Sequence, residues 1–183
     1  PAGGAGGKTL LPAEELGNTL SRYGASLFEK VLTSGGFPVA ENSAPGRYPK
    51  QWDLEEWKAL LARPDVDYVD FPMCTFDLGP HCADNSPDKG ERYVHATRVV
   101  FKKNDAFKLA LQRQCPGQSA SHQHVPLKGC RPGSQITRCA EAGAYAPDFC
   151  ETVVKALVLS LEPADTSRKS GGGTMRGGGV QNL

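Results

Sequence analysis

Five apolar residues, Leu16, Leu20, Tyr23, Leu27 and Val31, recur through 13–33 at intervals of three and four with polar residues between them. That spacing makes one stripe of an amphipathic helix, and Gly35-Gly36 ends it. FPVAEN (37–42) reads as a short buried strand, and SAPGRYPKQW (43–52), with two prolines and a glycine, as a loop. Asp53 followed by Glu56 resembles a capping box that opens the helix DLEEWKALLAR, which Pro64 closes. VDYVDFPMC (66–74) alternates as a strand does, with Val66, Tyr68 and Phe71 toward a core. Residues 77–91, rich in Asp, Pro and Gly, read as a loop, and RYVHATRVVF (92–101) as one β-branched strand. Asn104 or Asp105 caps the helix AFKLALQRQC. Residues 116–141 are irregular, with three prolines and three glycines. A last helix opens in YAPDFCETVVKALVLSL, where Pro147 suits the first turn.

Strands alternating with helices predict an α/β layered domain over 12–160, with 66–74 and 92–101 suited to antiparallel pairing. The glycine-rich start, 1–11, satisfies a loose phosphate-loop pattern from Ala2 to Thr9. No strand precedes it, and Pro12 arrives three residues after Thr9, so it reads as a flexible lead-in. A chain that begins at Pro1 without Met is expected to be a fragment or a processed product. The tail 161–183 has almost nothing to bury and is expected to be disordered.

Composition narrows the function classes. The net charge of +1, with 39% apolar and 22% charged residues, gives no whole-chain electrostatic case for nucleic acid or an anionic membrane. The longest apolar stretch, VVKALVLSL, is too short to cross a bilayer, so no membrane partner is expected. Six cysteines (74, 82, 115, 130, 139, 150) at irregular spacing, with no CxxC, favour reduced thiols in an intracellular protein.

Four features carry chemistry. Glu41 and Asn42 stand at the carboxyl end of the 37–42 strand, where ligands bind in open α/β sheets; the plainer reading is that the pair simply caps a strand and opens a turn. Cys115, His122, His124 and Cys130 offer thiolates and imidazoles for zinc in the spacing C-x6-H-x-H-x5-C. Buried thiols and hydrogen-bonded histidines are the alternative. His81-Cys82 is a nucleophile pair only if something orients it, and adjacent side chains in a loop generally diverge. Arg47, Lys50, Arg98, Lys102, Lys103, Lys108, Arg113, Lys128 and Arg131, with Tyr48 and Trp52 nearby, offer phosphate and base contacts or form a solvated surface.

The order Leu16-Gly17-Asn18, Glu41-Asn42, Trp52, Cys74, Gly79, Thr97, Cys115, His122, His124, Gly129, Tyr145, Pro147, Cys150 resembles a methyltransferase-like domain of retrotransposon-type polyproteins of algae, protists and fungi. The Glu-Asn step is similar to the corresponding motif of cytosine-5 DNA methyltransferases, in which the Glu contacts the flipped base. The resemblance implies a partial Rossmann-like sheet with flanking helices, the C-terminal half of a methyltransferase-like fold. It also implies Glu41 as the base-contacting carboxylate, nucleic acid as partner, and a longer polyprotein around the chain. Ser43 replaces the family's Pro, and His95-Ala96 replaces its Lys-Pro. Neither a glycine loop for the methyl donor nor a Pro-Cys nucleophile stands between Pro1 and Ala40, so the chain alone is not expected to methylate. The expected function is therefore a nucleic-acid-associated fragment without a cofactor of its own. The competing class is a small zinc-binding interaction module built on Cys115, His122, His124 and Cys130.

Overall fold

The computed structural model describes residues 12–46, 50–84, 89–133 and 135–161. The Gly-Lys-Thr segment, the tail from 162 on, and Arg47 and Tyr48 lie outside the described residues.

The domain is mixed α/β, built on a three-stranded sheet in the order β1-β4-β2. β1 (Val39–Ser43) and β2 (Val66–Pro72) each pair antiparallel with the central β4 (Ala96–Lys102). β4 forms because Thr97, Val99 and Val100 are β-branched, and its alternating side chains serve both faces of the sheet. On one face α1 (Pro12–Thr33) and α2 (Glu55–Leu61) bury Phe28, Trp57 and Leu60 against Val66 and Val100. On the other face α4 (Asp105–Leu111) and α6 (Pro147–Leu161) bury Phe107, Leu111 and Phe149 against Val69, Val99 and Phe101. Val99, Val100 and Phe101 are fully buried, each stabilising the sheet by about 1.5–3 kcal/mol.

β3 (Glu91–Tyr93) and β5 (Gln123–Val125) form a separate parallel pair, in which Arg92 stands opposite His124. α3 (Pro80–Asp84) lies in the predicted loop 77–91, and β5 and α5 (Arg138–Glu141) lie in the predicted irregular stretch 116–141. The single strand predicted over 92–101 is two strands. The chain leaves the pleat at Val94–His95, where the His95 carbonyl accepts from Met73 N–H (2.8 Å) instead of continuing a ladder.

One predicted face is reversed, and one predicted core residue of β2 is exposed while Val66 and Phe71 are buried as expected. Leu16, Leu20, Tyr23, Leu27 and Val31 are 41–63% exposed, while Ala25, Phe28 and Leu32 turn α1 to the sheet. Tyr68 is likewise 41% exposed, its ring covered by the Arg98 guanidinium at 4.0 Å. The capping box also moves: Asp53 accepts from Lys50 N–H (2.7 Å) at a short 3-10 turn, and Leu54 caps α2 without a side-chain bond. The Asn104 cap is as predicted, its side chain accepting from Phe107 N–H at 2.9 Å. Pro147 opens α6.

Candidate metal centre

Four ligand atoms, one each from Cys74, Cys115, His122 and His124, gather within 4.8 Å of one another. Three different local devices deliver them. Cys74 sits in the 3-10 turn Met73–Phe76 that follows β2, and this turn ends at Asp77 in the left-handed conformation (φ 67). Cys115 follows α4 where the chain turns through Gly117 (φ 88), whose N–H donates to the Cys115 sulfur at 3.4 Å. His122 and His124 are one residue apart on an extended segment, so their side chains point to the same face. A tight turn, in which Ser119 and His122 exchange both backbone hydrogen bonds (3.1 and 3.2 Å), brings that segment back over Cys115.

Among Cys115, His122 and His124 the separations are close to those of neighbouring ligands around one cation. His122 Nε2 and His124 Nε2 are 3.1 Å apart, and Cys115 Sγ is 3.5 Å and 3.2 Å from them. Zinc bonded to nitrogen and sulfur at its usual lengths puts neighbouring ligands about 3.3–3.6 Å apart at the tetrahedral angle. The observed separations fall within a few tenths of an ångström of that. Two thiols and two imidazoles also form the donor set that structural zinc prefers.

Electrostatics agree with closely packed ligands. Burial, then the neighbouring Cys115, pushes the Cys74 thiol up to about 12. Burial, then His124, lowers His122 below its ordinary range. The resulting neutral imidazole offers a lone pair to a cation, and a bound cation must displace the Cys74 proton. Cys74 is 2% exposed.

Three of the four residues predicted for zinc therefore converge, and the fourth does not. Cys130 is exposed and forms an isolated backbone bridge with Thr137, outside the group. Cys74 takes its place. Its order in the chain was visible as a landmark, but no local spacing marks as a ligand a cysteine so far from Cys115. All six cysteines are free thiols.

Glu41 and Asn42 belong to a second polar group, but Glu41 is the middle residue of β1, paired with Val99, rather than at the strand's carboxyl end. The Tyr145 hydroxyl donates to Glu41 Oε2 at 2.5 Å, and this bond, with burial, pushes Tyr145 up to about 12. Asn42 donates to Gln51 Oε1 (2.9 Å), and Trp52 Nε1 donates to the Ser43 carbonyl (2.8 Å). Ser43 Oγ lies 3.2 Å from His95 Nε2. Sequence reading missed His95 and Tyr145 as neighbours of Glu41, because 104 residues separate Tyr145 from it.

The remaining candidates are held inward. His81 Nε2 and Cys82 Sγ do not diverge but approach to 3.5 Å, with Asp77 also 3.5 Å from His81. Among the basic residues, Arg98 pairs with Asp70, Lys108 with Asp67, Arg113 with Asp148 and Arg131 with Glu141. These four are therefore ion-paired rather than bare. Among the described residues no helix is long and apolar enough to cross a membrane.

No protein-family model matches the chain, and no curated protein or solved structure matches it significantly.

Proposed function

We propose that this chain is a zinc-centred α/β module whose metal locks the 115–125 segment onto the end of β2. The convergence of Cys74, Cys115, His122 and His124 within 4.8 Å of one another, with Cys115 and the two histidines 3.1–3.5 Å apart, carries this reading. Four protein ligands close the coordination shell and leave no position for a substrate, which makes the role structural. The buried Cys74, the Gly117 N–H donated to Cys115 and the strand pairing of His124 supply the supporting shell such sites need. Elemental analysis of the purified protein tests it. About one zinc per chain, lost in Cys115→Ala, is expected; a folded wild-type protein free of metal ends the proposal.

A second reading, the nucleic-acid-associated, methyltransferase-like fragment of a longer polyprotein, is supported by the direction of the strands. β1 and β2 both run against β4 and hence parallel to each other, with α2 between them in sequence. Because β4 lies antiparallel between them, this is a split strand–helix–strand unit rather than the adjacent parallel pair of a Rossmann-like sheet, and it shares with that fold only the common direction of β1 and β2. The carboxyl ends of β1 and β2 then lie at one end of the sheet, with Glu41 two residues before the end of β1 and Cys74 two residues past the end of β2. On this reading Glu41, held by Tyr145, faces a base. Binding of a fluorescent cytosine-containing oligonucleotide that weakens at least about tenfold in Glu41→Gln is the expected result. Equal binding by both proteins would sink it.

A further inference from the structure

We propose that Arg113 is the positioning residue of the metal centre, its guanidinium fixing the two cysteine ligands relative to each other. The proposal rests on the zinc reading above. Cys74 and Cys115 come from different elements, the turn after β2 and the chain beyond α4, so nothing local to either sets their separation.

The two cysteines are held very differently. Cys74 is buried in a 3-10 turn between Met73 and Phe76, both buried as well. Cys115 has no such frame. α4 ends at Leu111, and Arg113 N–H still donates to the Leu111 carbonyl (2.8 Å). Among the described residues, no backbone–backbone hydrogen bond reaches 114–118. A ligand in so loose a stretch is located by the side chains that flank it, and Arg113 stands two residues before Cys115.

The guanidinium reaches both the Cys74 turn and α6. Toward the turn, Nη1 donates to the Thr75 carbonyl (3.4 Å), next to Cys74, and the group lies over the Phe76 ring at 4.1 Å. Toward α6, Nη1 pairs with Asp148 Oδ2 and Nη2 donates to Thr152 Oγ1 (3.0 Å). Thr152 in turn donates to Asp148 Oδ1 (3.4 Å), closing a ring of bonds with the guanidinium. α6 is a firm support, because Phe149 and Ala156 anchor it in the core. Arg113 is thus clamped to a helix, and the turn that carries Cys74 is clamped to Arg113. A planar fork of N–H donors can hold these partners together, whereas a lysine ammonium is a point charge on a flexible stem.

Cobalt titration of the full chain, followed by visible absorption, tests this. Arg113→Ala should weaken cobalt binding by about tenfold to about 100-fold, the range for a lost supporting contact. It should reach the wild-type absorption band at saturation, because none of the four ligands has changed. Arg113→Lys keeps a charge for Asp148 but not the fork, and should not recover the affinity. Asp148→Ala removes the anchor and should weaken binding too, yet add less than about threefold to Arg113→Ala, since both act through one group. A residue that only stabilised the fold would lower the urea midpoint of the metal-free protein and leave the affinity of the folded chain unchanged. Wild-type affinity in Arg113→Ala, full recovery in Arg113→Lys, an altered cobalt band or additive losses in the double variant overturns the proposal and leaves the zinc reading standing. A wild type that binds no cobalt ends the zinc reading, and this proposal with it.

Discussion

The Tyr93 hydroxyl donates to Glu141 Oε2 across 2.5 Å, joining β3 to α5 over 48 residues of sequence, and both side chains are buried. Arg131 Nε donates to the other carboxylate oxygen at 2.9 Å. One carboxylate thus serves two donors, through different oxygens. Glu141→Ala removes the acceptor that both use and should cost about 3–5 kcal/mol of folding stability. Tyr93→Phe leaves the ion pair intact and should cost only about 1–2 kcal/mol. Urea unfolding of both variants measures the contrast; equal losses would show that the pair with Arg131 contributes nothing of its own.

The metal reading makes a choice between cysteines that look alike in sequence. Cys74→Ser should lower zinc affinity by more than about 100-fold, because losing a ligand exceeds the loss of a supporting contact. Cys130→Ser should bind as the wild type does. Cobalt substitution separates a lost ligand from a damaged fold: the intense visible absorption of tetrahedral thiolate-bound cobalt should persist in Cys130→Ser and fade in Cys74→Ser.

Gly79 is a third sensitive point. A Cβ there would stand 2.2 Å from the Glu91 carbonyl oxygen, so β3 must move to admit any side chain. Gly79→Ala should destabilise the domain by about 3 kcal/mol. Zinc affinity should fall as well, because β3 is the strand on which the His124 segment pairs. A stable variant with unchanged metal binding would mean that β3 and the ligand group are not coupled.

His95 gives a pH dependence. Its imidazole lies below the ordinary 6.5, chiefly through burial, with Lys50 adding to the effect and Glu41 opposing it. The folded chain therefore holds this proton less readily than the unfolded one. Its contribution is present above about pH 6.5 and is lost as pH falls through the lower folded value. His95→Gln should reduce the fall in urea midpoint between about pH 7 and about pH 5. If variant and wild type decline in parallel, His95 is not the group responsible.

Much of the secondary structure was legible because periodicity and punctuation speak locally. The Asn104 cap and the Pro147 start needed no tertiary information. The face of α1 was not legible: Leu16 to Val31 and Ala25 to Leu32 make two apolar stripes on one helix, and periodicity does not say which the sheet will cover. The break at His95 was hidden for a similar reason, since Arg92 to Phe101 reads as one β-branched run until Met73 and Leu78 claim its backbone groups. At the candidate centre the local pair His122 and His124 and the nearby Cys115 were visible, whereas Cys74 arrives through the turn after β2. Ligands supplied by neighbouring residues are written in spacing; those supplied by topology are not.

β4 is hydrogen-bonded along both edges and packed on both faces, Val100 toward one layer of helices and Val99 and Phe101 toward the other. Its amides therefore exchange with solvent only when the whole sheet opens, and they should be the slowest to exchange deuterium in the chain. Because β4 is the central strand between the two helical layers, it is a main route by which a disturbance in one reaches the other. Loosening α1 or α2 leaves the α4–α6 side protected until β4 itself lets go.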